Sequence, residues 1–184
     1  MSKDWLSFMG AEEMDSVNQY QLISLAVRLA KELTDNAFTV LSVGCADGTE
    51  MELFGGDVKG IDLNDVSLQK CTNKGLDVQK MDMHKMTFPD NSFDLVFSKD
   101  NFEHALTPIH AIEEFARVTS KYVCIVLPDE SWQSDGRHLI IPTMRQMIAL
   151  GEKAGLALKS YREYNIIVNN ICTVTSCFYL FQKL

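Results

Sequence analysis

Short, apolar, β-branched-rich runs that alternate with segments of helical spacing constrain this chain more than any other feature. The first run, Phe38 to Val43, stops at Gly44, and Val58 to Ile61 stops at Asp62. Val78 to Met81, Phe93 to Ser98 and Tyr122 to Leu127 follow at similar intervals. Runs this short and apolar on both faces read as strands of a buried parallel sheet. Before the first run, Glu12 to Leu33 carries Leu22, Leu25, Ala26, Leu29 and Leu33 at helical spacing, an amphipathic lead-in helix. Asn64 to Lys74 has an asparagine cap and a stop at Gly75; Thr107-Pro108 opens a helix running to about Thr119. Thr143-Met144-Arg145-Gln146 has the capping-box form and starts a helix ending near Gly155. Leu156 to Tyr164 and Thr173 to Gln182 have only the turn-like Asn169-Asn170 between them, so they are expected to pair antiparallel. Strands that alternate with helices give a mostly parallel sheet with helices on both faces. The expected fold class is α/β, doubly wound and Rossmann-like.

No repeat, low-complexity tract or Pro/Gly/Ser linker interrupts the pattern. One domain is expected over residues 1–184, with a helical lead-in at 1–36 and the core at 37–184. Charge then narrows the partners. Seventeen Lys and Arg against 25 Asp and Glu give a net charge of −8, with no basic run. An acidic surface repels a phosphate backbone, so nucleic acid is an unfavourable partner. No stretch approaches the roughly 20 apolar residues of a membrane helix, and the first residues lack the form of a secretory signal. Cys45, Cys71, Cys124, Cys172 and Cys177 lack zinc-type pairing and lie mostly in apolar runs. Buried reduced thiols in a cytoplasmic protein are the expectation.

Doubly wound sheets bind ligands at the carboxyl ends of their strands, near the switch in strand order. The loop after the first strand reads Gly44-Cys45-Ala46-Asp47-Gly48. Gly44 permits a tight turn, Ala46 is small, and Gly48 opens the next helix, so a ligand can approach the backbone closely. A dinucleotide fingerprint would space its glycines as G-x-G-x-x-G. Here the third small residue comes one position early, which disfavours a nicotinamide oxidoreductase. Asp62, at the end of the second strand, is placed either to accept both hydroxyls of a ribose or to cap the next helix. Asp82, after the third strand, either accepts from an adenine amino group, with Met83 as an apolar wall, or is a solvated loop acid.

These segments resemble the class I S-adenosylmethionine-dependent methyltransferases, particularly the small branch of the quinone-biosynthesis type. The resemblance runs from about Val40 to Gly155. It rests on Leu41-Ser42-Val43-Gly44-Cys45-Ala46-Asp47-Gly48, on Gly60-Ile61-Asp62, and on Asp82 to His104 with its Phe88-Pro89-Asp90-Asn91-Ser92-Phe93-Asp94 segment. It implies a seven-stranded sheet with an antiparallel last strand, S-adenosylmethionine as cofactor, and a cofactor pocket at Gly44, Cys45, Ala46, Gly48, Asp62, Leu63, Asp82, Met83 and Ser98. It also implies an acid two residues before Gly44, holding the cofactor's ammonium. This chain has Ser42 there, and Asp47 or Asp100 are the candidates to supply the charge. A non-catalytic relative serving as a scaffold or adenosyl-ligand module is the competing expectation.

Methyl transfer from a sulfonium is an in-line displacement, in which the protein chiefly aligns the nucleophile and excludes water. An oxygen acceptor also needs a base, and imidazole titrates in the right range. His104, after the fourth strand, and His138, in the loop after the fifth, are the candidate catalytic residues. The bland alternatives are a structural hydrogen bond for His104 and an exposed loop position for His138. Trp132 and Arg137 are candidates for an acceptor wall, whereas His84 and His110 look peripheral. No H-x-x-x-H or Cys/His cluster appears, so no metal is expected. The usual acceptor-defining insertions are nearly absent. The site is therefore open, completed by the lead-in helix, or built across a homodimer, and its acceptor is expected to be a small molecule or a glycan.

Overall fold

The computed structural model describes residues 11–35, 39–129, 138–168 and 172–184. The chain runs α1 (Ala11–Leu33), β1 (Thr39–Val43), α2 (Thr49–Phe54), β2 (Asp57–Asp62), α3 (Asp65–Asn73), β3 (Asp77–Lys80) and β4 (Phe93–Lys99). A 3-10 turn (Phe102–His104), α4 (Pro108–Val118), β5 (Thr119–Pro128), α5 (Met144–Lys153), β6 (Leu156–Val168) and β7 (Cys172–Lys183) complete it. The strands form one seven-stranded sheet of order β3-β2-β1-β4-β5-β7-β6. β1 to β5 pair in parallel, and β7 runs antiparallel to both β5 and β6. This is the doubly wound, Rossmann-like arrangement that the alternating runs dictate.

Period-two alternation sorts the strand residues onto two faces. Leu41, Val43, Val96, Val123, Ile125 and Leu127 pack with Ala111, Ile112 and Phe115 of α4 and Met147 of α5. Val40, Leu95, Phe97, Cys124 and Val126 face the other way, onto Leu22, Ala26, Val27 and Ala30 of α1. The amphipathic lead-in helix thus covers much of one sheet face, with Phe54 of α2 beside it. Helix ends follow the chemistry of their sequences with one exception. Asn64 Oδ1 accepts from the Val66 and Ser67 amides, and Thr143 with Gln146 forms the full capping box. Thr107, expected as a cap, makes no side-chain bond; its amide donates to His84 Nε2 instead.

Strand limits moved where tertiary pairing overrides the local run. β5 begins at Thr119, directly after α4, because Thr119 pairs with Phe93 across a local irregularity and its hydroxyl donates to the Tyr122 carbonyl. β6 and β7 extend beyond the expected limits, pairing out to Val168 opposite Cys172; the Asn169-Asn170 turn lies outside the described residues. Register positions the site. Val43 lies opposite Ile61 and Asp62 opposite Lys80, so the loops leaving β1, β2 and β3 emerge side by side. The strand order reverses between β1 and β4, which opens the crevice expected at that point.

Candidate active site

The loop after β1 folds back on β2: the Gly44 and Cys45 amides donate to the Ile61 carbonyl at 2.8 and 3.1 Å. Gly44 has φ +75°, and a Cβ there would stand 2.3 Å from Asn101 Cγ. Only glycine allows that approach. Ala46 is left-handed too, at φ +46°, and holds that strained shape while its amide donates to Asp62 Oδ2 at 2.9 Å. Asp62 Oδ1 accepts from the Asn64 amide at 2.8 Å. Asn64, not Asp62, caps the next helix, and Asp62 instead braces the loops on either side of it. It keeps lone pairs for a ligand at the strand end. Leu63, beside it, is 58 % exposed, an apolar surface at the mouth of the crevice.

Cys45 and Gly48 serve the loop from behind. The Cys45 side chain packs on Met51 and Cys71, and burial raises its thiol pKa, so Cys45 is a neutral thiol at physiological pH. A Cβ on Gly48 would meet Leu76 at 2.3 Å. No disulfide joins Cys45, Cys71, Cys124 and Cys177.

Asp82 is engaged as well. Its Oδ1 accepts from the His84 amide at 2.9 Å and from His84 Nδ1 at 2.7 Å, which hold its carboxyl below the usual range. His84, expected to be peripheral, is instead a strut between Asp82 and the start of α4. Met83 packs against the core, and Asn101 Nδ2 reaches its sulfur at 3.9 Å and Ser98 Oγ at 3.4 Å. Asn101 thus joins Gly44, Met83 and Ser98, three residues expected to line one pocket. Sequence reasoning passed over it for want of any motif.

Of the acids near the position two before Gly44, Asp47 and Asp100 have partners of their own, and a third, Glu50, lies closer to Ser42. Asp47 accepts from Thr49, and Asp100 pairs with Lys99. Glu50, in the first turn of α2, lies buried beneath the loop, where Ser42 Oγ donates to its Oε1 at 2.5 Å. Burial pushes its pKa up to about 7, against the Ser42 hydrogen bond and the nearby Lys99 charge, which pull it down. Ser42 and Glu50 together place a carboxylate at the end of β1 from an element further along the chain.

The other half of the edge follows β4. Glu103 sits in the 3-10 turn, 1 % exposed, and its carbonyl accepts from the Leu139 and Ile140 amides at 3.0 and 3.3 Å. Those bonds bring the segment after β5 across the turn. His104 and His138 consequently meet, with ring centroids 5.2 Å apart. Burial, followed by the Asp100 charge, pushes the Glu103 pKa up to about 8. One ligating atom from each of Glu103, His104 and His138 lies within 4.8 Å of the others. The expectation of no metal rested on the lack of a sequence-local ligand pair, whereas this convergence spans more than 30 residues. His110 is exposed on α4. Trp132 and Arg137 lie outside the described residues. Behind the 138–142 segment, Leu127, Asp129, Ile141, Tyr161, Glu163 and Tyr179 are among the residues lining a cavity of about 390 Å³.

The switch-point crevice, the left-handed loop and the antiparallel last strand together define a Rossmann-like methyltransferase fold. The solved structures most like it include the magnesium protoporphyrin IX methyltransferase of Synechocystis PCC 6803 with bound SAH. That pair is 11 % identical with a TM-score of 0.77, covering 95 % of this chain and 88 % of the other. The YcgJ protein of Bacillus subtilis is 14 % identical with a TM-score of 0.72, covering 86 % and 97 %. A SAM-dependent methyltransferase of Methanosarcina mazei is 16 % identical with a TM-score of 0.66, covering 79 % and 92 %. No curated protein matches the chain by sequence. Residues 41–126 match the family described as the methyltransferase domain. No described helix is long and apolar enough to cross a membrane.

Proposed function

We propose that the chain, acting as one domain, transfers the methyl group of S-adenosylmethionine to a hydroxyl of a small-molecule or glycan-type acceptor. The observation that carries the acceptor class is the cavity of about 390 Å³ behind the 138–142 segment. Its volume falls in the range of small-molecule pockets, roughly 300–1,000 Å³. Tyr161 and Tyr179, with ring centroids 5.0 Å apart, give it an aromatic wall, and Asp129 and Glu163 add carboxylates suited to hydroxyl-rich ligands. The net charge of −8 points the same way, away from polyanionic acceptors.

The residues present fit the cofactor. Gly44 and Ala46 hold a left-handed loop against Asp62, whose remaining lone pairs suit the ribose hydroxyls. Leu63 and Met83 would flank the adenine, with Asp82 taking its amino group. Ser98 and Asn101 close the β4 side. Glu50, through Ser42, supplies the negative charge for the cofactor's ammonium. When bound, the cofactor supplies an electrophilic methyl group on a sulfonium leaving group. The chain aligns the acceptor oxygen with it and takes the acceptor's proton at the Glu103–His104–His138 cluster. Transfer would form the C–O bond as the S–C bond breaks, with S-adenosylhomocysteine as the leaving group. The test is release of S-adenosylhomocysteine over a panel of monosaccharides, glycosides, phenols and amines. Turnover with a hydroxyl-bearing acceptor is expected; turnover with amines alone would contradict the acceptor class.

A further inference from the structure

Glu103 presents a problem that the transfer reaction alone does not solve. Its Oε2 atom is buried and has no hydrogen-bond partner among the described residues, a costly state for a carboxyl oxygen. The Glu103 backbone is anchored, because its carbonyl accepts from the Leu139 and Ile140 amides. The side chain belongs to a cluster whose other members are two imidazoles, His104 exposed at the mouth and His138 half-buried. One carboxylate and two imidazoles, each offering an atom within 4.8 Å of the others, form a recognised ligand set for a first-row divalent ion.

We infer that Glu103, His104 and His138 bind a divalent transition-metal ion of the zinc type. Mixed nitrogen and oxygen donors suit such an ion, whereas magnesium and calcium favour oxygen-only shells. Donors around one tetrahedral zinc stand roughly 3.4 Å apart, given bonds of about 2.1 Å. The cluster is therefore a little open and closes by side-chain rotation of the two imidazoles. Three protein ligands leave a fourth position, the pattern of catalytic rather than structural sites. Binding of the ion stands on the cluster alone. Its use rests on the acceptor reading above and refines it: with the ion bound, the cluster acts on the acceptor's proton through the metal, whose fourth position would take the hydroxyl and ease its ionisation, the proton passing to solvent.

The test uses the full chain, stripped with a chelator and titrated calorimetrically with zinc, then with cobalt followed by visible absorption. One equivalent per chain is expected, with the absorption bands of nitrogen and oxygen ligation. Glu103→Gln and His104→Ala should each weaken binding by at least about tenfold, the loss that even outer-shell substitutions produce. His104 is exposed, so that variant leaves the fold intact and keeps the test valid if Glu103→Gln fails to fold. Titration of the same samples with S-adenosylhomocysteine separates the two readings. Absent metal binding beside intact S-adenosylhomocysteine binding overturns the metal site and leaves the methyltransferase standing. Unchanged metal affinity in His104→Ala, or a thiolate-to-cobalt band, equally overturns it by placing the ion elsewhere.

Discussion

The two halves of the sheet's carboxyl edge are built by different means. On the β1–β2–β3 side, the critical contacts join residues close in sequence or in adjacent strands: Ala46 to Asp62, Asp62 to Asn64, Asp82 to His84. On the β4–β5 side, Glu103 meets Leu139 and Ile140, and His104 meets His138. Those contacts cross an entire helix, a strand and a loop. Chemistry written in short motifs holds one shared ligand, while chemistry assembled over long range adapts to a particular acceptor. The proposed cofactor half is fixed by backbone geometry, and the proposed acceptor half by which side chains the 138–142 segment brings in.

The sharpest way to break this comparison is a variant in each half. His104→Ala should lower turnover by at least about a hundredfold, the lower end of the range for a displaced proton acceptor, with S-adenosylhomocysteine affinity unchanged by calorimetry. Asp62→Ala should do the reverse. It removes a charge-assisted contact worth about 1.5–3 kcal/mol, so affinity falls at least about tenfold. Because Asp62 also holds the Ala46 and Asn64 amides, the same variant should lose about 1–2 kcal/mol of stability in denaturant unfolding. Equal effects of both variants on binding and turnover would dissolve the distinction between the halves.

Glu50 refines the cofactor half through pH. Its folded pKa of about 7 lies above the ordinary glutamate value of about 4.5, so the folded state holds the proton more tightly. Its contribution to stability is complete below about pH 4.5 and is lost as pH rises through about 7. Glu50→Gln should remove that fall, measured by unfolding at a series of pH values. Ligand binding should run the opposite way. An ammonium favours the ionised carboxylate, so S-adenosylmethionine affinity should strengthen from pH 6 to 8 in the wild type and stay flat in Glu50→Gln. The smallest effect belongs to Ala46→Gly. Relief of the left-handed strain, partly offset by backbone entropy, should raise stability by about 0.5–1 kcal/mol in the same unfolding assay.

The difference between the halves also explains what could be read in advance. Period-two and helical spacing displayed the seven strands and the covering helices, because burial on two faces writes itself into consecutive residues. The Gly44 loop and Asp62 were legible because a tight turn demands glycine at a fixed offset from a strand. Glu50 was not, since nothing local distinguishes a buried helical acid from the exposed Glu52 two positions on. The pairing with Ser42 exists only once α2 is laid under the loop. Asn101 escaped for the same reason, and Glu103 was legible only as part of the Glu103-His104 pair, not as a member of a cluster. His104 and His138 were visible as types, yet their meeting depends on two backbone bonds from Glu103. Thr107 shows the converse: a good cap by sequence gave way to a tertiary partner, His84.

The most direct measurement is calorimetric titration of the purified chain with S-adenosylmethionine and, separately, with S-adenosylhomocysteine. The account predicts micromolar binding of both, with Ser42 and Glu50 jointly replacing the acid expected before Gly44. A folded protein that binds neither ligand at millimolar concentration would contradict it.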